Sequence, residues 1–248
     1  MLHQRMVSSG HFLFRWRSFL LLGFLPLFVW AVMQGKTIES GWGEIAGGIV
    51  SVLAVLLVIG GEAIRIGTVG FVPRGTSGRN TDKGQIAERL NTSGLYTLTR
   101  NPLYLGNCMM YLGAALYTQH LWIVAILALT LALYYERIIA AEESFLFEKF
   151  GTDYTAWTKV TPPFFPRLHG WQRPDMPFSI RTVIRREHAS ILGGFVALYL
   201  VELGLHTLPA TADAIDPRWH IALGVALVAD LVVIVIKSQT AWLAVEGR

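Results

Sequence analysis

The chain of 248 residues holds a single cysteine, Cys108, which excludes a disulfide framework and a cysteine-rich metal site. Charge is scarce too. Asp, Glu, Lys and Arg together make up 15%, against roughly 25% in soluble domains. That leaves too little polar surface to cover a soluble body of this size. A cytosolic enzyme is therefore disfavoured, as are a disordered, collagen-like or coiled-coil chain. The seven histidines (3, 11, 120, 169, 188, 206 and 220) are scattered with no HxxxH pair, so no metal site is expected. Internal repeats and low-complexity segments are absent as well.

What is abundant is apolar surface: 53% of residues are hydrophobic and the mean hydropathy is +0.46. A bilayer core takes about 20 helical residues. Six stretches approach that, near Ser18–Met33, Glu44–Ile64, Pro102–Thr118, Leu121–Ala141, Ala189–Leu208 and Trp219–Ile236. The first follows Arg15 and Arg17, as a signal peptide would, but it ends in Val-Met-Gln-Gly-Lys without a small-residue cleavage site. The predicted fold class is an all-α, polytopic integral membrane protein of about six transmembrane helices, one membrane domain over 1–248. Residues 1–70 would form the N-terminal spans, 71–178 a core with a tight hairpin and long loops, and 179–248 the last two spans.

Charge fixes the expected orientation. With the N-terminus in the cytoplasm, 18 of the 21 Lys and Arg residues fall in inside segments, while Lys36 and Arg218 lie outside and Arg137 within a span. This bias predicts both termini in the cytoplasm. It also accounts for the net charge of +4 through anionic head groups, without a nucleic-acid partner. Two inside segments, Arg65–Arg100 and Glu142–His188, are too long to be simple turns, whereas only Gln119 and His120 separate the third span from the fourth. The run Gly41-Trp-Gly-Glu-Ile-Ala-Gly-Gly has no strand before it and a span after it, so its glycines are expected to pack helices rather than bind a dinucleotide.

Ionisable residues inside spans cost around 2.5–3.5 kcal/mol each on insertion scales and usually face a cavity or one another. Glu62 and Arg65 share one helix face, where pairing at the interface is expected. Glu136, Arg137, Glu142 and Glu143 lie within eight positions, more than a solvated helix end needs, and are read as functional. Glu202 and Asp230, each alone in an apolar run, are expected to be structural.

The segment richest in chemistry runs from Asn91 to Asn107. Arg100 ends a polar loop and Pro102 opens the third span, where proline is well tolerated because its missing N–H would be unpaired anyway. Asn101 then falls at the N-cap. A helix N-terminus beside an arginine is an anion site. Gly106 would permit close approach.

These residues carry a resemblance. Gly94-Leu95-Tyr96, followed by Arg100-Asn101-Pro102-Leu103-Tyr104-Leu105-Gly106, resembles the first motif of the integral-membrane methyltransferases, the isoprenylcysteine carboxyl methyltransferase and phospholipid methyltransferase family. Glu142-Glu143-Ser-Phe-Leu146, then Phe150-Gly151-Thr-Asp-Tyr154-Thr-Ala-Trp157 and the prolines at 162–166, resembles the second. Relatives often carry histidine where this chain has Asn101. The resemblance implies S-adenosylmethionine as cofactor, bound at the cytoplasmic end of the hairpin without a Rossmann domain. It assigns Gly94, Leu95, Tyr96, Arg100, Asn101, Pro102, Tyr104, Leu105, Gly106, Glu142, Glu143 and Trp157 to the cofactor site. Arg100, Asn101, Arg137 and Glu143 are the catalytic candidates. We expect Arg100 and the amides near Asn101 to meet the donor carboxylate. Glu142 or Glu143 would meet its ammonium or ribose, and Tyr96, Tyr104 and Trp157 its adenine or sulfonium.

The acceptor is expected to be a membrane lipid. A carboxylate or phosphate oxygen has its lone pair free at neutral pH, whereas an amine needs a base, and Asn101 replaces the histidine candidate. Arg65, Arg74, Arg79 and Arg137 are the substrate-binding candidates. Pro73–Asn80, with fork donors, hydroxyls and flexible amides but no P-loop lysine, is expected to serve as a phosphate cradle or a head-group anchor. Gly75-Thr-Ser-Gly-Arg-Asn80 also resembles, more weakly, a lipid A phosphate methyltransferase branch, which implies a bacterial inner membrane. O-methylation of an anionic head group is thus placed ahead of prenylcysteine carboxyl methylation and of N-methylation of phosphatidylethanolamine. A transporter or a non-catalytic scaffold is the reading from a different class. The sequence leaves the oligomeric state open.

Overall fold

The computed structural model describes residues 2–16, 19–73, 75, 79–81, 84–209 and 214–248, with 2–5, 79–81 and 84–86 described by backbone alone. Arg17, Arg74 and Lys83, and the side chain of Arg79, lie outside the described residues. The chain forms α1 (Leu2–Arg15), a 3-10 turn (Leu20–Phe24) running into α2 (Leu25–Met33), α3 (Thr37–Trp42), α4 (Glu44–Val69), α5 (Pro102–Tyr117), α6 (Leu121–Thr158), α7 (Ile180–Thr207) and α8 (Pro217–Gln239). Between α4 and α5 lie a second 3-10 turn, Gly94–Thr97, and a small antiparallel ribbon of β1 (Arg79–Thr81) with β2 (Gly84–Ile86). The ribbon is the one departure from an all-helical chain among the described residues.

Five segments are long and apolar enough to cross a membrane: Leu20–Trp42, Glu44–Val69, Leu121–Thr158, Ile180–Thr207 and Pro217–Gln239. The sixth expected span, α5, has 16 residues, about 24 Å of helix, and packs between α4, α6 and α7. The protein is thus a polytopic integral membrane protein. The first span is broken rather than continuous. Gly35 (φ +71) and Gly43 (φ +91) set off the six-residue α3, at backbone angles that glycine alone adopts cheaply.

The helix core is built on close backbone contact. A methyl placed on Gly106 of α5 would lie 2.6 Å from the carbonyl oxygen of Gly61 in α4, and one on Gly113 would lie 2.7 Å from that of Ala54. Lipid tails are as apolar as leucine, so helices in a bilayer associate through such close packing of small residues rather than through hydrophobicity. The α5–α6 turn is tight, as the two-residue connection requires, and it is buried. Gln119 takes φ +61. Its backbone carbonyl accepts from Thr37 Oγ1 at 2.8 Å, while His120 Nε2 meets Gly35 O at 2.9 Å. Burial holds the His120 imidazole below its ordinary pKa.

One end of the bundle collects the long loops. There α1 lies along α6, close enough that a Cβ on Gly10 would overlap the carbonyl oxygen of Arg137. Arg248, from the other end of the chain, donates through Nη1 to Gly70 O at 2.6 Å. Both ends of the chain therefore sit with the loops, which fits an even number of crossings.

The last helix is held differently. No residue of α8 is buried. It meets α7 through His188–Asp230 (Nδ1–Oδ1 2.7 Å), Tyr199–His220 (2.9 Å) and the rings of Phe195 and Trp219. Glu202 pairs with His206 at 3.3 Å within α7. Both isolated intramembrane acids thus have histidine partners.

Candidate functional site

The two sequence motifs meet through the loop that follows α6. As one straight rod, α6's 38 residues would run about 57 Å, well beyond a bilayer core. Instead it breaks at Gly151 (φ +50, ψ −112), again in a region that favours glycine. The break lets the last two turns carry Tyr154 and Trp157 onto the 94–101 loop, where Trp157 Nε1 donates to Tyr96 O at 3.1 Å. The chain then runs back along that loop. Arg100 N–H donates to Pro162 O (2.9 Å), Asn101 Nδ2 to Pro163 O (2.7 Å), Thr99 Oγ1 to Phe164 O (2.8 Å), Arg167 N–H to Leu98 O (3.0 Å) and Gly94 N–H to Gln172 O (3.1 Å). Gly94 itself sits at φ +60, against Pro174.

This strap changes the part played by Asn101. It stands at the N-cap position of α5 as expected, but its side chain does not cap the helix. It holds the proline loop instead. Pro102 follows at the first helical position, and the first intrahelical bond runs from Leu105 N–H to Asn101 O.

Arg100 and Glu143 form an ion pair of 2.8 Å (Nη1–Oε1), with side chains 14% and 30% exposed. Half-burial strengthens such a pair over a surface one. Arg100 Nε is also buried, and it has no hydrogen-bond partner among the described residues, so this guanidinium retains an unused donor. Tyr154 lies against it. Burial, and secondarily the Glu142 carboxylate, pushes the Tyr96 phenol well above its ordinary pKa, so it stays protonated at neutral pH.

A cavity of about 600 Å³ opens beside this pair, within the usual size of ligand pockets. Tyr96, Arg100, Asn101, Pro102, Tyr104 and Glu142 form one side of it, and Arg65, Arg185, Arg186, Glu187 and Lys237 the other. A smaller pocket shares Tyr96, Arg100, Asn101 and Glu142 with the cavity and extends to Glu143, Tyr154 and Trp157. The structure therefore gathers seven of the twelve cofactor-site candidates around the cavity and its annex directly by side chain: Tyr96, Arg100, Asn101, Pro102, Tyr104, Glu142 and Glu143. Trp157 makes an eighth.

Four candidates fall elsewhere. Gly94 and Leu95 shape the loop behind Tyr96. Leu105 does not line either space, and Gly106 faces the Gly61 carbonyl and the Arg65 stem, serving helix packing. Among the substrate candidates, Arg65 lines the cavity, bound to Glu187 at 2.6 Å. Arg137 does not reach it. Its guanidinium lies half-exposed on the outer face of α6, donating to Leu133 O at 2.8 Å beside Glu136 at 4.0 Å. Arg79 is placed in β1 by its backbone, and Arg74 lies outside the described residues. Arg185, Arg186, Glu187 and Lys237 were missed. The first three sit at the polar start of α7, which the sequence reading placed in a loop ahead of the fifth span.

The comparisons can be set against this geometry. Residues 45–153 match the phospholipid methyltransferase family. This bears out the resemblance carried by the Arg-Asn-Pro and paired-glutamate motifs, and the matched segment takes in α4, α5 and the whole of α6 as far as the Gly151 break. The family supports a methyltransferase embedded in the membrane, and its members generally use S-adenosylmethionine. The chain is similar to the cobalt-zinc-cadmium resistance protein CzcN of Cupriavidus metallidurans, with 37% identity over 116 residues, 46% of this chain and 50% of that protein. It is also similar to the nickel-cobalt-cadmium resistance protein NccN of Alcaligenes xylosoxydans xylosoxydans, with 34% identity over 117 residues, 46% of this chain and 52% of that one. The chain thus spans about half the length of the curated relatives it matches. No solved structure matches. Among the described residues, no group of three or more His, Cys, Asp or Glu is placed to hold a metal ion.

Proposed function

We propose that the protein transfers a methyl group from S-adenosylmethionine to an oxygen of an anionic membrane lipid, with the site facing the cytoplasm. The observation that carries this reading is the half-buried Arg100–Glu143 pair, which joins the two family motifs. It offers opposite charges to a donor that itself carries a carboxylate and an ammonium. The unused Arg100 Nε fits a carboxylate oxygen, and Tyr96, Tyr154 and Trp157 provide aromatic surface for a cation and a purine. When bound, S-adenosylmethionine supplies a methyl group activated on a positive sulfur. The residues of this chain then have two tasks. Arg100, Glu142 and Glu143 hold the donor's charged groups and fix its direction. The aromatic wall keeps water from competing for the methyl group.

The choice of oxygen rests on the absence of a histidine base, with Glu142 and Glu143 assigned to the donor. No histidine lines the cavity or its annex among the described residues. The Tyr96 phenol is pushed up rather than down, and Glu187 is engaged by Arg65. An ammonium acceptor would have to lose its proton first. A phosphate or carboxylate oxygen need not, so phosphatidylethanolamine nitrogen is disfavoured. A phosphate head group, as on lipid A, and a prenylcysteine carboxylate both meet this condition.

The test is binding of S-adenosylhomocysteine to the purified protein, followed by transfer of a labelled methyl group to each acceptor class. Arg100→Ala and Glu143→Ala are each expected to weaken cofactor-product binding by about 1.5–3 kcal/mol, the range of charge-assisted hydrogen bonds. Normal affinity in both folded variants would remove the assignment of the pair. Label found only on an amine would reject the oxygen acceptor.

A further inference from the structure

The family match ends at residue 153, yet the cavity does not. Its far wall comes from α7 and α8: Arg185, Arg186 and Glu187 from the first turns of α7, and Lys237 from the end of α8. The cavity is lined by five cationic side chains and two carboxylates; with Glu143, which pairs with Arg100 from the adjoining pocket, the surplus is two positive charges. One carboxylate, Glu187, is buried and already bound by Arg65 at 2.6 and 2.8 Å, with Asn107 Oδ1 accepting from the same guanidinium. It therefore anchors Arg65 rather than offsetting Arg185. Lys237 is not placed there by chance of a frayed end. Asp230, two turns earlier on α8, is bonded to His188 of α7, and His188 Nε2 also lies 3.5 Å from Lys237 Nζ. The histidine sets the register that brings Lys237 over the cavity. Toward the helix interior the same cavity is lined by Tyr104, Tyr111, Tyr134 and Tyr135, side chains with an apolar body and a polar tip, as at the boundary between head group and acyl chain.

We propose that Arg185, Arg186 and Lys237 form a binding site for a phosphomonoester head group, and so set the acceptor specificity from helices outside the family segment. This rests on the reading of the cavity as the acceptor site of a methyltransferase. A dianionic phosphate balances the surplus charge better than a single carboxylate, and guanidinium forks match its oxygens in pairs. The tyrosine-lined depth makes the phosphate that of a lipid rather than a free ion. The sequence reading placed an anion site on the 73–80 loop, most of which lies outside the described residues; the described cationic wall belongs to α7 and α8.

The experiment uses the full-length protein in detergent with three probes, dihexanoyl phosphatidic acid, dihexanoyl phosphatidylcholine and inorganic phosphate, by calorimetry. Phosphatidic acid is expected to bind most tightly. Arg185→Gln with Lys237→Gln is expected to weaken it by at least about tenfold, the scale of one lost charge-assisted hydrogen bond, while Arg185→Lys retains binding. S-adenosylhomocysteine affinity should stay unchanged in all variants, which also certifies the fold. Equal affinity for phosphatidylcholine, or no effect of the double variant, would overturn the proposal. Inorganic phosphate binding as tightly as the lipid would overturn the lipid assignment. The methyltransferase reading fails separately, by loss of S-adenosylhomocysteine binding in the unmodified protein while phosphatidic acid still binds.

Discussion

The α4–α5–α6 core and the α7–α8 pair solve the same problem, holding helices together in lipid, by opposite means. In the core, backbones touch through Gly61, Gly106 and Gly113, and side chains such as Ile123, Leu131 and Ile138 are fully enclosed. In the pair, α8 buries no residue and is registered by polar contacts, His188–Asp230 and Tyr199–His220. The first arrangement fixes position to within a few tenths of an ångström, because close-packed backbone cannot give. The second fixes only register and leaves the outer face to the bilayer. The residues proposed to hold the donor stand on the rigid part, and those proposed to bind the head group stand largely on the adaptable part.

The largest test of this contrast places the same change in both regions. Gly106→Val drives two methyls into the Gly61 carbonyl and should cost about 3 kcal/mol, at the upper end of the overpacking range, with loss of folded protein on size exclusion. Gly224→Val in α8, where nothing lies within 4 Å of the added carbon, should leave yield and Tm unchanged. Equal damage at both sites would erase the distinction.

A smaller effect should come from the core's strap. Trp157→Phe removes the Nε1 hydrogen bond to Tyr96 O, at a cost of about 1 kcal/mol. It should also lower S-adenosylhomocysteine affinity, because Tyr96 shifts with it. On the other side, Asp230→Asn should leave the melting temperature nearly intact. Because it loosens the α7–α8 register, it should raise the KM for a phosphorylated lipid with little change in kcat. A fall in kcat alone would break the link between Asp230 and Lys237.

The smallest expected effect lies at the closed end of the core. His120 is held neutral by burial, so its native pKa is below the unfolded value of about 6.5. A depressed histidine pKa means that the unfolded chain binds the proton more readily. Its contribution is therefore complete above pH about 6.5 and declines as the pH falls below it. His120→Asn should flatten the acid side of the Tm profile between pH 7 and 5, while Asp230→Asn should not remove that slope.

Much of this was legible in the sequence, for identifiable reasons. The spans announce themselves because hydrocarbon tolerates few charges, and the α5–α6 hairpin follows from a connection of two residues. The motifs at Arg100–Gly106 and Glu142–Trp157 were legible as a pair because they bracket that hairpin, and the structure brings them together around one cavity and its annex. Rotation about the helix axes was not legible. In a bilayer the lipid-facing and core-facing sides are both apolar, so periodicity fails to say which way Arg137 points, and it points outward. The packing of α1 on α6 was missed because Ser8, Ser9 and Gly10 carry no apolar stripe, although small residues are what close helix contact requires. The charged wall at Arg185, Arg186 and Lys237 depends on the register of α7 against α8, which the His188–Asp230 contact, 42 residues apart in sequence, determines.

The strap between the 94–101 loop and residues 162–172 bears on the order of biogenesis. Its acceptors are Pro162, Pro163, Phe164 and Gln172, and they emerge from the ribosome only after both helices of the hairpin have been synthesised. The hairpin can enter the bilayer with its glutamates and arginine in place, yet the loop that orients Tyr96 and Arg100 has nothing to lie against until 62 to 78 residues later. The loop wall of the cavity is thus completed late, from the water side, on a scaffold that the membrane has already set. Truncations between residues 158 and 172 should insert normally and bind no cofactor product, a separation of insertion from assembly that translation-arrest products would display.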